Sequence, residues 1–299
     1  MPITEIKYKI ISCSNPPIFE VEEDPNLSLY QIALAGGIAG ILEHGVTLPL
    51  NAIKTIQQHQ KPNLRVAYNA LQRAGIPSFF NGWKVMLPAI GVAHAGQFLS
   101  IEVVKEKTGS DFIGGIFGRL FHDLVMVPAD TIKQWQQIQL NTPKSAKDIT
   151  NTLFKQGGLA RLYSSLPVTL ATRLPSSGVA YATYAKLSTE FQNPYYSHFF
   201  AGAVAGGVAS AFTAPMDLLK TRLQLEGAIN KNRTSSPVLR KNIVTKSIEI
   251  MINEQRKHGL KGLFRGWQLL AAAEVPAGMI CFGTYGVMKK AFEEFDGPD

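Results

Sequence analysis

One six-residue pattern occurs three times along this chain and leaves few folds open to it. Pro49-Leu-Asn51-Ala-Ile-Lys54, Pro128-Ala-Asp130-Thr-Ile-Lys133 and Pro215-Met-Asp217-Leu-Leu-Lys220 share the form Pro-x-(Asp/Asn)-x-x-Lys, and each has a Gln nine residues after its Pro: Gln58, Gln137 and Gln224. A fixed internal pattern means that one structural unit is copied along the chain. A second mark follows in each copy: Phe80-Asn-Gly82, Tyr163-Ser-Ser165 and Phe264-Arg-Gly266. Ten residues after the small residue come Val92, Pro175 and Pro276, and nine further on come Ile101, Tyr184 and Tyr285. Only the distance from the first Pro to the small residue varies, at 33, 37 and 51 residues. Each repeat therefore confines its slack to one connecting segment, where a surface loop absorbs insertions.

Between these marks lie two long apolar stretches per repeat: 31–50 and 83–99, 113–129 and 165–184, 199–215 and 267–288. Each approaches the roughly 20 residues that cross a bilayer as a helix. Their polar or small stripes suit helices that line an aqueous cavity. Gly36-x-x-x-Gly40 and Gly202-x-x-x-Gly206 allow two helices to approach closely. The second repeat departs with Arg119, which is spaced to pair with Asp123 one turn on.

Charge placement fits a membrane topology. Charged residues make up only 17% of the 299, against about 25% in soluble domains. The variable segments 59–82, 140–162 and 225–266 carry net charges of +3, +3 and +6, whereas the termini and the other connections sum to −5. An even number of spans with basic loops on one side predicts the +12 face on the retained side and both termini opposite. No basic, aromatic-interleaved patch for nucleic acid forms on one segment. Two cysteines, Cys13 and Cys281, exclude a disulfide framework. No phosphate loop, His-Glu-x-x-His or Gly-x-Ser-x-Gly constellation appears, so no enzyme is expected. The first 28 residues hold no Arg and several acids, unlike a cleaved presequence, so targeting is expected to be internal.

The threefold motif with its aromatic-x-Gly resembles the mitochondrial carrier family over residues 29–292. Within it the chain is most similar to the mitoferrins, the iron carriers, through Gly40-Ile-Leu-Glu43-His44, Gly91-Val-Ala-His94-Ala, Leu166-Pro-Val-Thr-Leu-Ala171 and Val275-Pro-Ala277. The resemblance implies an all-α membrane protein: six transmembrane helices in a pseudo-threefold bundle from three two-helix repeats, with short matrix helices. The expected organisation is an N-terminal segment, 1–28, then carrier repeats 29–107, 111–191 and 196–292. It implies alternating-access transport across the mitochondrial inner membrane, both termini in the intermembrane space, no cofactor and a monomer. Its partners would be a small solute or metal ion and inner-membrane lipid, cardiolipin in particular.

The resemblance also assigns roles. Pro49, Pro128 and Pro215 kink three helices, since Pro removes a backbone hydrogen bond. Asn51, Lys54, Asp130, Lys133, Asp217 and Lys220 form the matrix gate, braced by Gln58, Gln137 and Gln224, with Asn51 lacking the charge of its counterparts. On the opposite mouth only Glu102, Lys105 and Lys289 remain of six charges, because Ala185, Ser188 and Gly286 occupy the other places. The substrate level of the even helices holds Ile90, Thr172, Arg173 and Glu274, joined by His44 and His94, whose neutral imidazoles suit Fe²⁺, Cu or Zn. Thr172-Arg173 replaces a mitoferrin-like Met-Asn pair. Iron therefore competes with an anionic or zwitterionic solute (nucleotide, amino acid or carboxylate) read by Arg173 and Glu274, with a mutual Arg173–Glu274 ion pair, and with a non-transporting protein on the same scaffold.

Overall fold

A computed structural model describes residues 29–60, 63–140, 144–173, 176, 179, 183, 194–226, 243–274 and 276–277. Helix α1 runs Leu29–His59, α2 Leu64–Ala74, α3 Trp83–Thr108, α4 Asp111–Gln137 and α5 Ala146–Leu162, with a 3₁₀ turn at Ile76–Phe80. Helical backbone continues through 166–173 (α6), Pro194–Gln224 (α7), Ile243–Leu263 (α8) and 267–274 (α9). No strand occurs among the described residues. Helices α1, α4 and α7 contain Pro49, Pro128 and Pro215 and are the odd spans; α3, α6 and α9 belong to the even ones.

Local chemistry sets several boundaries. Asn63 accepts from the amides of Arg65 and Val66 to start α2, and Ser110 accepts from Ile113 N to start α4. Ser145 accepts from Asp148 N at 3.1 Å and donates to its carboxylate at 2.7 Å, an N-cap that opens α5.

The burial pattern is that of a membrane bundle, with apolar side chains outside and polar ones inside. Leu42, Val46, Val92, Ile116, Phe117 and Phe212 are exposed, while Glu43, His94, Asp123, Gln137 and Gln224 are at most 1% exposed. Buried polar groups of this kind demand internal partners or a ligand. Among the described residues, two stretches, Ala33–His59 and Ile76–Thr108, are long and apolar enough to cross a membrane.

Small residues let these helices close on one another. A Cβ on Gly114 would lie 2.9 Å from the Ile101 carbonyl, which fixes the α3–α4 crossing. On α1, a Cβ on Gly40 would lie 2.5 Å from the His94 ring, so this glycine makes room for an imidazole rather than for a second backbone. Outside the spans, α5 is tied to the end of α7 by Arg161, which is fully buried. Its guanidinium donates to the carbonyls of Leu223 at 3.0 Å, Gln224 at 2.9 Å and Glu226, all acceptors that a helix terminus leaves open. Burial lowers this guanidinium to about 10, partly offset by the Glu226 carboxylate, so it stays charged at neutral pH. Glu254 on α8 performs a similar service by accepting from Arg222 of α7 at 3.0 Å and pairing with Arg265 at 2.8 Å.

Candidate functional site

The three Pro-x-(Asp/Asn)-x-x-Lys segments converge into one ring. Lys54 of α1 reaches Asp217 of α7 at 3.1 Å, and Lys220 of α7 reaches Asp130 of α4 at 3.2 Å. The third contact differs. With Asn51 where an acid would stand, Lys133 turns back to Asp130 of its own helix at 2.7 Å. The Asn51 side chain donates to Thr47 Oγ1, one turn earlier, at 3.5 Å. Neutral contacts hold the α1–α4 seam instead: Thr55 Oγ1 donates to Gln137 Oε1 at 2.9 Å, and Gln60 Nε2 to the Ile138 carbonyl at 3.0 Å.

The three glutamines do different things. Gln58 Nε2 donates to Asp217 Oδ2 at 2.9 Å and to the Arg265 carbonyl at 3.2 Å, so it braces the Lys54–Asp217 pair. Gln137 touches no ring charge, because its seam has no ion pair to brace. The side-chain oxygen and nitrogen of Gln224 are buried without a partner among the described residues. Bracing of every pair by its Gln is thus corrected to one pair. The second-mark glycines reach the ring as well. Gly82 (φ 93°) and Gly266 (φ 86°) adopt the left-handed region, where a Cβ on Gly82 would meet Lys133 at 2.4 Å and one on Gly266 would meet Lys54 at 3.2 Å.

Above the ring lies a cavity of about 150 Å³ lined by Glu43, His44, Thr47, Thr172, Arg173 and Glu274, with the ring residues at its floor. Thr172 Oγ1 is taken by the Val168 carbonyl at 2.6 Å. Arg173 and Glu274 both face this space, and the Arg173 guanidinium also lies 3.9 Å from the Asp123 carboxylate. No ion pair given for the described residues includes Glu274. Arg173 thereby joins a cluster centred on Asp123 of α4. Asp123 Oδ1 receives Arg119 at 3.4 Å, Arg173 at 3.9 Å and His122 Nδ1 at 3.1 Å. Arg119 meets the partner that its spacing predicts.

Two sequence-predicted positions sit elsewhere. Ile90 is 1% exposed and packs with Met86, Ala93, Met126 and Ala129 between α3 and α4. An apolar side chain gains more from that helix contact than from facing an aqueous cavity, so Ile90 is corrected from site to core. His94 does not line the cavity; it stands behind His44, ring centroids 5.6 Å apart. Glu43 and His122 stand outside the site that the sequence predicts, although an acid beside His44 in an apolar run is a visible signal. For the opposite gate, Ala185, Ser188, Gly286 and Lys289 lie outside the described residues, as do the side chains of Glu102 and Lys105.

The cavity floor holds three lysines against two aspartates. The level above holds Glu43, Glu274 and Asp123 against Arg119 and Arg173, so its formal charge is one negative. A positive floor below a negative waist can retain a cation at the waist and resist its passage until the ring opens.

The family model described as mitochondrial carrier protein matches residues 25–111, 105–195 and 191–296. The mitochondrial RNA-splicing protein MRS3 of Saccharomyces cerevisiae is 31% identical over 284 residues, covering 87% of this chain and 88% of that protein. Human mitoferrin-1 is 29% identical over 283 residues, covering 85% and 81%, and human mitoferrin-2 is 28% identical, covering 86% and 75%.

Proposed function

The chain belongs to the mitochondrial carrier family, a transporter of the mitochondrial inner membrane, and from that premise we propose that its cargo is a borderline transition-metal cation, with Fe²⁺ foremost. The single observation that carries this reading is the placement of Arg173. Its guanidinium shares the Asp123 carboxylate with Arg119, and Glu43, His44 and Glu274 line the same cavity. A cation-repelling charge is thereby drawn toward a carboxylate, and the cavity lining also offers two carboxylates and an imidazole. Imidazole suits Fe²⁺, Cu and Zn, and a carboxylate adds charge to the same site. Similarity to the mitoferrins supports the same class of cargo.

In the proposed cycle, the cargo enters from the intermembrane space and settles at the waist, exchanging among Glu43, His44 and Glu274 rather than being held by all three at once. The ring of Lys54–Asp217 and Lys220–Asp130 stays shut below it. Differential binding to the open and closed forms then drives alternation. The basic segments face the matrix, both termini the intermembrane space, and the three repeats act as one unit of 29–292. The competing reading is an anionic or zwitterionic solute across Arg173 and Glu274, since both side chains face the same cavity.

A ligand that binds the native state raises its stability, by about 2.7 kcal/mol at a hundred times its Kd. Thermal unfolding of the purified protein in detergent under reducing, anaerobic conditions should shift upward with Fe²⁺ and remain unmoved by nucleotides, carboxylates or amino acids. A shift with an anion and none with Fe²⁺ would overturn the cation reading.

A further inference from the structure

Behind the cavity the structure aligns three imidazoles from three helices. His44 of α1 stands 5.6 Å from His94 of α3, and His94 stands 4.9 Å from His122 of α4, between ring centroids. The second pair meets at an interplanar angle of 90°. His94 is 0% exposed and His122 3%. Buried ring nitrogens ordinarily find hydrogen-bond partners. Here His44 Nε2, both nitrogens of His94 and His122 Nε2 have none among the described residues.

Three adjacent imidazoles in this state are costly unless their nitrogens serve a ligand, since a buried polar atom without a hydrogen bond keeps its full desolvation penalty. His122 differs from the other two in one respect. Its Nδ1 lies 3.1 Å from Asp123 Oδ1. A carboxylate at that distance accepts a hydrogen bond from Nδ1–H, which places the lone pair on Nε2. Metal-binding histidines are commonly prepared in this way: the carboxylate fixes the tautomer and raises the basicity of the other nitrogen. The same carboxylate is anchored by Arg119 at 3.4 Å, so it is held independently of the imidazole.

We propose that His122, oriented by Asp123, is a third cargo-binding imidazole that forms with His94 an inner station for the metal cation behind His44. The proposal rests on the cation reading above and extends it by one residue and one position. Among the described residues no group of three or more His, Cys, Asp or Glu side chains is gathered to hold a metal ion at once. The row therefore works two rings at a time. His44 and His94 hold the cation nearest the cavity, His94 and His122 hold it one step deeper, and His94 is common to both. Sharing one ligand between neighbouring stations keeps each of them weak enough to release, as conduction through a series of sites requires.

The test uses full-length protein in detergent and Co²⁺, an air-stable stand-in for Fe²⁺ whose visible and near-ultraviolet spectrum reports its ligands. Cys13 and Cys281 are first replaced by Ser, so that no other thiol is present. In that background His122→Gln should weaken Co²⁺ binding about ten-fold or more, which is the range seen when a metal site loses supporting groups. His122→Cys should restore binding and add a thiolate-to-cobalt charge-transfer band, which appears only where residue 122 touches the metal. A purely structural histidine would give neither the band nor the rescue. If the parent protein binds Co²⁺ and Fe²⁺ while His122→Gln folds normally with unchanged affinity, or His122→Cys binds without the band, this inference falls and the cation reading stands. If the parent binds neither metal, both fall.

Discussion

Two seams of the same ring solve one problem by different chemistry. Between α1 and α7, Lys54 and Asp217 meet at 3.1 Å, and Gln58 adds a second donor to the carboxylate. Between α1 and α4 the acid is absent at Asn51, Lys133 folds back on Asp130, and Thr55 with Gln137 and Gln60 with the Ile138 carbonyl close the gap. The first seam is charged, braced and strong when dry; the second is neutral and shares nothing with the charges beside it. One missing carboxylate therefore does more than delete a contact. It redirects a neighbouring lysine and leaves the floor with one excess positive charge. A ring built this way should part first along α1–α4.

The largest test breaks the charged seam. Asp217→Ala leaves Lys54 in a buried site with no counter-charge, and removal of one partner from such a pair costs about 3–5 kcal/mol. Cysteine labelling of Thr47 and Thr172, each changed to Cys in turn, should then reach the cavity from the matrix side, which the parent resists. Next in size is Arg161→Met, which strips a charged donor from three carbonyls at the end of α7. It should lower stability by about 2–3 kcal/mol, visible in thermal unfolding, with substrate selectivity unchanged. Asn51→Asp sharpens the comparison in the other direction. Lys133 gains a carboxylate across the seam, and the closed form gains about 1 kcal/mol. Turnover should slow, because the ring must open in every cycle. The smallest effect separates two glutamines: Gln58→Ala should cost about 1 kcal/mol and Gln137→Ala about half of that, since only the former bonds a charged group. Equal losses would mean that the two seams are held alike.

Much of this architecture was legible in the repeat itself. The Pro-x-(Asp/Asn)-x-x-Lys copies state which residues meet at the ring, and Asn51 stands out as the weak member because the other two copies show what it lacks. The direction in which Lys133 turns was not legible, since a spacing of three residues lets Lys133 reach either its own Asp130 or a neighbouring helix. Ile90 was misplaced because counting residues gives its level along α3 and not which side of the helix faces the cavity. The Asp123 cluster was half visible: Arg119 is one turn away in sequence, whereas Arg173 arrives from another helix across 50 residues. His122 has a sequence neighbour in Asp123 but no local sign that His94 lies 4.9 Å away.

The central claim is that the waist of the cavity selects a metal cation, with Arg173 drawn toward Asp123. Its most direct measurement is uptake of radiolabelled Fe²⁺ into proteoliposomes containing the purified protein, compared with Glu274→Gln and Asp123→Asn. Saturable Fe²⁺ uptake is expected from the parent. Glu274→Gln should reduce it about ten-fold or more by removing a negative charge at the waist, and Asp123→Asn should abolish it by exposing two arginines to the cargo. Absence of Fe²⁺ uptake by the parent, or uptake that Asp123→Asn leaves intact, would contradict the account.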